Sequence, residues 1–260
     1  MALGVVAFTV AVSLLGLAIT VRLLGLDIRR QHNEFAGFNA ATIGVFFAVL
    51  LAFIAVAAWE SFSKAGDTAA IEASLAGDLA RDATTFPEPL RTKLLDDMRD
   101  YVEIVLEKEW PAMADGREFG DEGWRPLVDF HKNLTSMQTT DPIQVAMFSE
   151  ALTRLNSLYD ARRSRLLAAA DHIDPTVWWV IVLGSAITIS FTYLFGMESI
   201  GVHFWMTGIV AASLGLVIVI IVAFDYPFRG EVQIAPDAFE QVRHSLTALG
   251  VKFPTADIPR

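Results

Sequence analysis

Four long apolar runs, at residues 3–24, 40–59, 177–195 and 204–224, fall into two pairs separated by one charged stretch. A helix needs about 20 mostly apolar residues to cross the hydrocarbon of a bilayer. The only charged side chain within these runs is Arg22, at the end of the first. Lipid offers unpaired backbone groups no partner, so each run is predicted to be a helix. The run ending at Phe224 is too long for a strand in a soluble core.

Composition points the same way, since 53% of the residues are hydrophobic. The first run has no basic segment before it and exceeds the usual length of a signal's apolar core. It is therefore expected to be a span rather than a cleaved signal. The chain has no cysteine, which excludes disulfides, thiolate metal ligands and thiol catalysis. Its net charge of −10 lies mostly between the two pairs of runs, which disfavours nucleic acid as a partner.

Residues 25–37 join the first pair, and a shorter turn at 198–203 joins the second. Short connections make antiparallel neighbours. The expected fold is an all-α membrane protein, with four transmembrane helices in two hairpins and a helical soluble domain inserted between them. The expected domains are residues 1–60, 61–175, 176–225 and a C-terminal tail at 226–260. Lys64, Arg162, Arg163, Arg165 and Arg229 then share one side of the membrane with both termini. This excess predicts a cytoplasmic soluble domain, although the Arg29-Arg30 pair in the first loop pulls the other way. The expected location is the bacterial inner membrane.

The soluble segment reads as helical. Ile71, Leu75 and Leu79 recur every four residues and carry the second membrane helix past Trp59. Pro87 and Pro89 break it. Leu90, Leu94, Met98, Tyr101, Val105 and Trp110 form the next stripe, predicted to stop at Pro111. Gly116, Gly120 and Gly123 mark a loop. Asp141-Pro142 opens a helix with apolar positions at Val145, Phe148, Leu152, Leu155 and Leu158, predicted to run on to Asp174-Pro175. The tail carries a short amphipathic helix between Pro236 and Gly250, with Phe239, Val242 and Leu246 on one face.

No zinc-protease motif, phosphate-binding glycine loop or nucleophile elbow occurs, so no catalytic residue, cofactor or metal is expected. His32, followed by Asn33, reads as a turn residue satisfying nearby backbone. Asp115, Glu118, Asp121 and Glu122 lack the alternate spacing of a calcium loop and read as a solvated acidic loop. Glu60, Glu72 and Glu109, with Arg162, Arg163 and Arg165, are candidates for structural ion pairs inside the helical bundle, since buried charges must pair. An alternative role for them is ion attraction.

Small residues mark close-packing faces: Thr9, Ser13, Gly16 and Thr20 in the first membrane helix, Gly184, Thr188 and Thr192 in the third, and Gly208, Ala212 and Gly215 in the fourth. In the second, Val45, Val49 and Phe53 recur every four residues beside Phe46 and Leu50. This stripe is either a lipid or core face, or, in copies around an axis, an apolar constriction able to gate a pore by dewetting.

The chain resembles the bestrophin-like family of bacterial membrane proteins. The resemblance rests on His32-Asn33, on Leu50 to Phe53 followed by Trp59-Glu60, on Glu109-Trp110, on Arg162-Arg163 with Arg165, and on Asp225-Tyr226-Pro227-Phe228-Arg229-Gly230. A looser similarity to bestrophins themselves lies in the two-plus-two helix layout, the segment from Gly44 to Phe53, and Pro227, Phe228 and Gly230 after the fourth helix. Bestrophins are pentameric anion channels whose neck is lined by apolar residues of the second helix. The resemblance thus implies Val45, Val49 and Phe53 as neck residues, with the bilayer, other copies of the chain and small inorganic ions as partners. Arg229 stands between Phe228 and Gly230, and the acidic run of a calcium clasp does not follow, so calcium gating is not implied. The expected function is a homo-oligomeric, anion-conducting channel. The alternatives are a non-conducting scaffold whose soluble helices bind a protein, and an enzyme at the membrane surface.

Overall fold

The computed structural model describes residues 2–118 and 120–253, and among these no strand occurs. The helices are α1 (Ala2–Leu23), α2 (Leu26–Gln31), α3 (Asn33–Ala83), α4 (Leu90–Ile104), α5 (Trp110–Asp115), α6 (Trp124–Thr135), α7 (Pro142–Ala170), α8 (Pro175–Tyr193), α9 (Ile200–Asp225) and α10 (Asp237–Ala248). A π-helical turn, Val105–Glu109, joins α4 to α5, and a short 3₁₀ turn, Asp121–Gly123, precedes α6. Four helical stretches are long and apolar enough to cross a membrane: Ala2–Leu23, Asn33–Ala83, Pro142–Tyr193 and Ile200–Asp225. The chain forms two compact units, Met1–Ser61 with His172–Asp225, and Phe62–Asp171 with Tyr226–Arg260. Helix α3 contributes residues to both.

In the first unit, α1 packs against α8 and α9. The small residues make this approach possible. Gly16 lies under Tyr193, so a Cβ there would meet the tyrosine hydroxyl at 2.7 Å. Gly215 faces Val6 and Thr9. Ser13, Thr207 and Ala211 are buried with them. Of α3, Phe47 and Leu51 pack on Ile181 and Ile221. The Phe47 ring occupies the notch left by Gly184.

The second unit has the larger core. Its stretch of α3 buries Ala65, Ala69, Ala73, Ala76 and Ala80 with Leu79. The helix runs on past Trp59 as the spacing of Ile71, Leu75 and Leu79 predicts, but its buried face is the alanine row with Leu79, since Ile71 is 55% exposed and Leu75 only partly buried. Methyl side chains let neighbouring helices approach closely, and the larger residues take the flank. Helices α4, α6, α7 and α10 add Leu94, Met98, Phe130, Leu155, Leu158 and Phe239.

Two predicted boundaries shift. The helix expected to stop at Pro111 continues as α5 to Asp115, because the proline falls in the first turn after the π turn, where its missing N–H leaves no gap. Gly116 ends it with φ of 70°. Helix α7 stops at Ala170 and does not reach Pro175. Asp171 is extended, and Asp174 has a ψ of 136°, as a residue before proline prefers. Asp174 then caps α8 by accepting from Thr176 N at 2.7 Å.

Candidate functional site

The apolar stripe of α3 follows from helical spacing. Phe47 and Leu51 turn inward, so Val45, Val49 and Phe53 turn out. They are 64%, 52% and 70% exposed. The chain's own core therefore does not account for them, and this face meets either lipid or another protein surface. Phe46 and Leu50 are exposed beside them.

At the first loop, Asn33 exchanges two hydrogen bonds with one backbone residue. Its Oδ1 accepts from Gly196 N at 2.7 Å, and its Nδ2 donates to Gly196 O at 3.2 Å. Arg29 is buried and donates from Nη1 to Phe195 O at 3.1 Å, just beyond the C-terminal end of α8. A cation suits that end of a helix. His32 Nδ1 lies 2.8 Å from Ile28 O, so the proton on that nitrogen serves local backbone.

The charged candidates separate into two groups. Glu72, Glu109, Arg162 and Arg165 meet in the core of the second unit, all shielded from solvent. Arg165 Nε lies 2.6 Å from Glu72 Oε2, and its Nη2 reaches Glu72 Oε1 at 3.0 Å and Glu109 Oε2 at 2.7 Å. Arg162 forks onto Glu109, with Nη1 3.0 Å from Oε2 and Nη2 bonded to Oε1. The Tyr101 hydroxyl donates to Glu72. Two carboxylates thus face two guanidiniums. Their planes are enclosed by aromatic rings, with Arg162 4.7 Å from the Trp124 ring and Arg165 5.7 Å from the Trp110 ring.

The electrostatics follow from that geometry. Burial pushes the Glu109 carboxyl up, but hydrogen bonds and charge from Arg162 and Arg165 outweigh it and hold the group below its ordinary range. Burial, reinforced by Glu72, pushes the Tyr101 phenol well up, so it stays a donor. The π turn carries Glu109 inward. Gly123 sits directly over the Glu109–Arg162 pair, where any side chain would collide with both.

Glu60 and Arg163 lie outside this cluster. Glu60 is exposed. Arg163 is exposed and pairs with Asp160 at 2.9 Å. In the acidic loop, Asp115 pairs with Arg117, and Glu122 with Lys108. Among the described residues no group of side chains is arranged to hold a metal ion.

The segment after α9 builds the wall beside the cluster. Phe228 is buried and meets Trp110 edge-on, with ring centroids 5.5 Å apart. Pro227 O accepts from Ile234 N at 2.8 Å, closing a turn that Gly230 allows with φ of 86°. Trp110 Nε1 donates to Ile234 O at 3.2 Å. Arg229, the extra residue in this motif, donates from Nε to Met113 O at 3.2 Å near the end of α5. Sequence reasoning did not find Tyr101 as a partner of Glu72, nor Trp124 as the lid of Arg162. The position of Tyr101 on the buried stripe of α4 was the available signal.

A model of the Bestrophin-like domain matches residues 7–239. The chain belongs to the Bestrophin-like family. Solved structures share its fold. Two variants of a bacterial bestrophin homologue from Klebsiella pneumoniae superpose with TM-scores of 0.71 and 0.72, at 10% and 9% sequence identity. Each comparison covers 95% of this chain and 99% of the other. A further crystal structure, of a membrane protein, gives a TM-score of 0.71 at 10% identity, over 96% of this chain and all of that one. Among curated proteins no relative matches the chain. Family membership and the apolar helices make this Bestrophin-like chain a membrane-embedded protein.

Proposed function

We propose that this protein is a homo-oligomeric ion channel of the bacterial inner membrane. Helices α1 and α3 form one transmembrane hairpin, and α8 and α9 the other. Residues 61–175 make a soluble helical domain on the cytoplasmic side with both termini, and residues 226–260 are a tail after the last span. The observation that carries the reading is the sidedness of α3. Its Phe47–Leu51 face is packed within the chain, whereas Val45, Val49 and Phe53 are left bare. Copies arranged about an axis would bring this bare face together as a ring. An apolar ring narrow enough to lose its water blocks ions until it widens. The similarity to bestrophins favours anions as the conducted species and five as the number of copies.

The buried Glu72–Arg165–Glu109–Arg162 cluster has a structural part in this reading. Charges so well paired and enclosed are not available to attract ions from solution. The Pro227–Gly230 turn braces the same core.

The test is ion flux through the purified protein in liposomes, together with the symmetry of the purified particle. A closed ring that conducts above protein-free liposomes is expected. A particle without rotational symmetry, or a ring that carries no flux, would favour the scaffold reading.

A further inference from the structure

Helices α4 and α6 meet along an acidic seam. An open cleft of about 350 Å³ runs along it, lined by Asp97, Asp100, Glu103 and Glu107 on one side and by Arg125 and Asp129 of α6 on the other. At its floor Asp97 is half-buried and accepts from Asn133 Nδ2 at 2.7 Å. That amide is the polar link across the seam.

The surroundings of Asp97 are unfriendly to a negative charge. On its own helix, Asp96 and Asp100 flank it. Arg99 lies between them but is bonded to both, at 2.7 Å each. Lys93, one turn earlier, is exposed. From α6, Asp129 faces it, already engaged with Lys132 at 3.2 Å and Arg125 at 3.8 Å. Beyond α4, Lys108 is paired with Glu122 of the 3₁₀ turn, while Arg243 of α10 is paired with Glu107 and Glu240. Each of these paired cations is committed to a carboxylate other than Asp97.

We propose that the α4–α6 seam is a proton-sensitive joint, in which a proton taken up on Asp97 clamps α6 onto α4 and its loss loosens the contact. Protonated Asp97 still accepts from Asn133 through its carbonyl oxygen and adds no charge to the acidic cleft. Ionised Asp97 keeps the hydrogen bond but meets Asp96, Asp100 and Asp129. Burial, and then those carboxylates, push its carboxyl up to about 6 against the bond from Asn133. The sign follows. A carboxyl raised on docking favours the docked state when protonated. The seam is therefore tightest below the ordinary value of 3.8 and weakens as pH rises, with the loss complete above about 6. This joint does not depend on what the protein conducts.

Hydrogen exchange on the full chain in detergent tests it. The amides of α6 should exchange roughly tenfold faster at pH 7 than at pH 4.5, after correction for the intrinsic rate. Asp97→Asn keeps an acceptor for Asn133 without the charge. It should hold slow α6 exchange at pH 7 and lose most of the pH dependence. Asp160→Asn, at an exposed position on α7 away from the seam, should keep the wild-type dependence. An Asp97→Asn protein with the wild-type pH response would overturn the proposal. So would equal α6 protection at both pH values in the unmodified protein, a comparison that stands even if the variant fails to fold.

Discussion

Arg165 and Glu72 stand 93 positions apart in sequence, yet close a two-pronged ion pair with Nε–Oε2 at 2.6 Å and Nη2–Oε1 at 3.0 Å, both side chains out of contact with solvent. Glu72 is on α3 and Arg165 on α7, so the pair ties two helices together at the centre of the second unit. Removing one partner leaves the other charged and buried. Glu72→Gln or Arg165→Met is expected to lower unfolding stability by about 3–5 kcal/mol. Arg165→Lys should fail almost as badly, since an ammonium cannot reach both carboxylates in the fork geometry. Thermal unfolding in detergent reads this out, and a single-partner variant with an unchanged midpoint would remove the pair from the account.

Glu109 gives the same cluster an acid limit. Its carboxyl lies below the ordinary 4.5, so its contribution is in full force above that value and is lost as pH falls through the lower folded-state value. Stability should drop on acidification below pH 4.5. Glu109→Gln, although less stable overall, should show a shallower decline there. Melting midpoints measured between about pH 3 and pH 6 check this, and parallel curves for the two proteins would contradict it.

Much of this cluster was legible in sequence, and the remainder was not for geometric reasons. Arg162 and Arg165 are three apart and share a helix face, while Arg163 points about 100° away from Arg162 and pairs with Asp160. Glu60 precedes Glu72 by twelve residues, which places it about 18 Å along α3 and roughly 120° around it. The membrane helices declared themselves by the length of their uncharged apolar runs. The alanine face of α3 did not, because five methyl groups give a weaker hydrophobic signal than Ile71 and Leu75, which it leaves on the flank. Helix α6 escaped notice too. Its stripe of Leu127, Phe130 and Leu134 is short and lies between glycine and threonine-rich stretches.

Close packing in the first unit predicts a contrast between two glycines. At Gly184 an added Cβ would run into the Phe47 ring, whereas at Gly44 nothing lies within 4 Å. Gly184→Ala should cost about 1–3 kcal/mol or abolish a stable preparation. Gly44→Ala, in the same class of helix, should fold as well as wild type. Phe47→Leu should restore part of what Gly184→Ala loses. Detergent melting curves for the four proteins decide it, and equal tolerance at both glycines would show the α3–α8 approach to be wrong.

The Asn33–Gly196 exchange predicts a local effect. Asn33→Ala removes both bonds between the start of α3 and the turn after α8. Hydrogen exchange at residues 194–199 should rise by about tenfold or more, while the second unit is unaffected. Unchanged protection would mean that the Arg29 bond to Phe195 O holds the turn by itself.

The most direct measurement of the central claim is ion flux through liposomes carrying the Val45→Ala, Val49→Ala, Phe53→Ala triple variant. These side chains are bare in the chain, so their truncation should leave folding largely intact. If copies of α3 enclose a pore, shrinking the apolar ring relieves its dewetting, and flux should rise well above that of the unmodified protein, with anions favoured. A well-folded triple variant that carries no more current than protein-free liposomes would contradict the pore and leave the scaffold reading in its place.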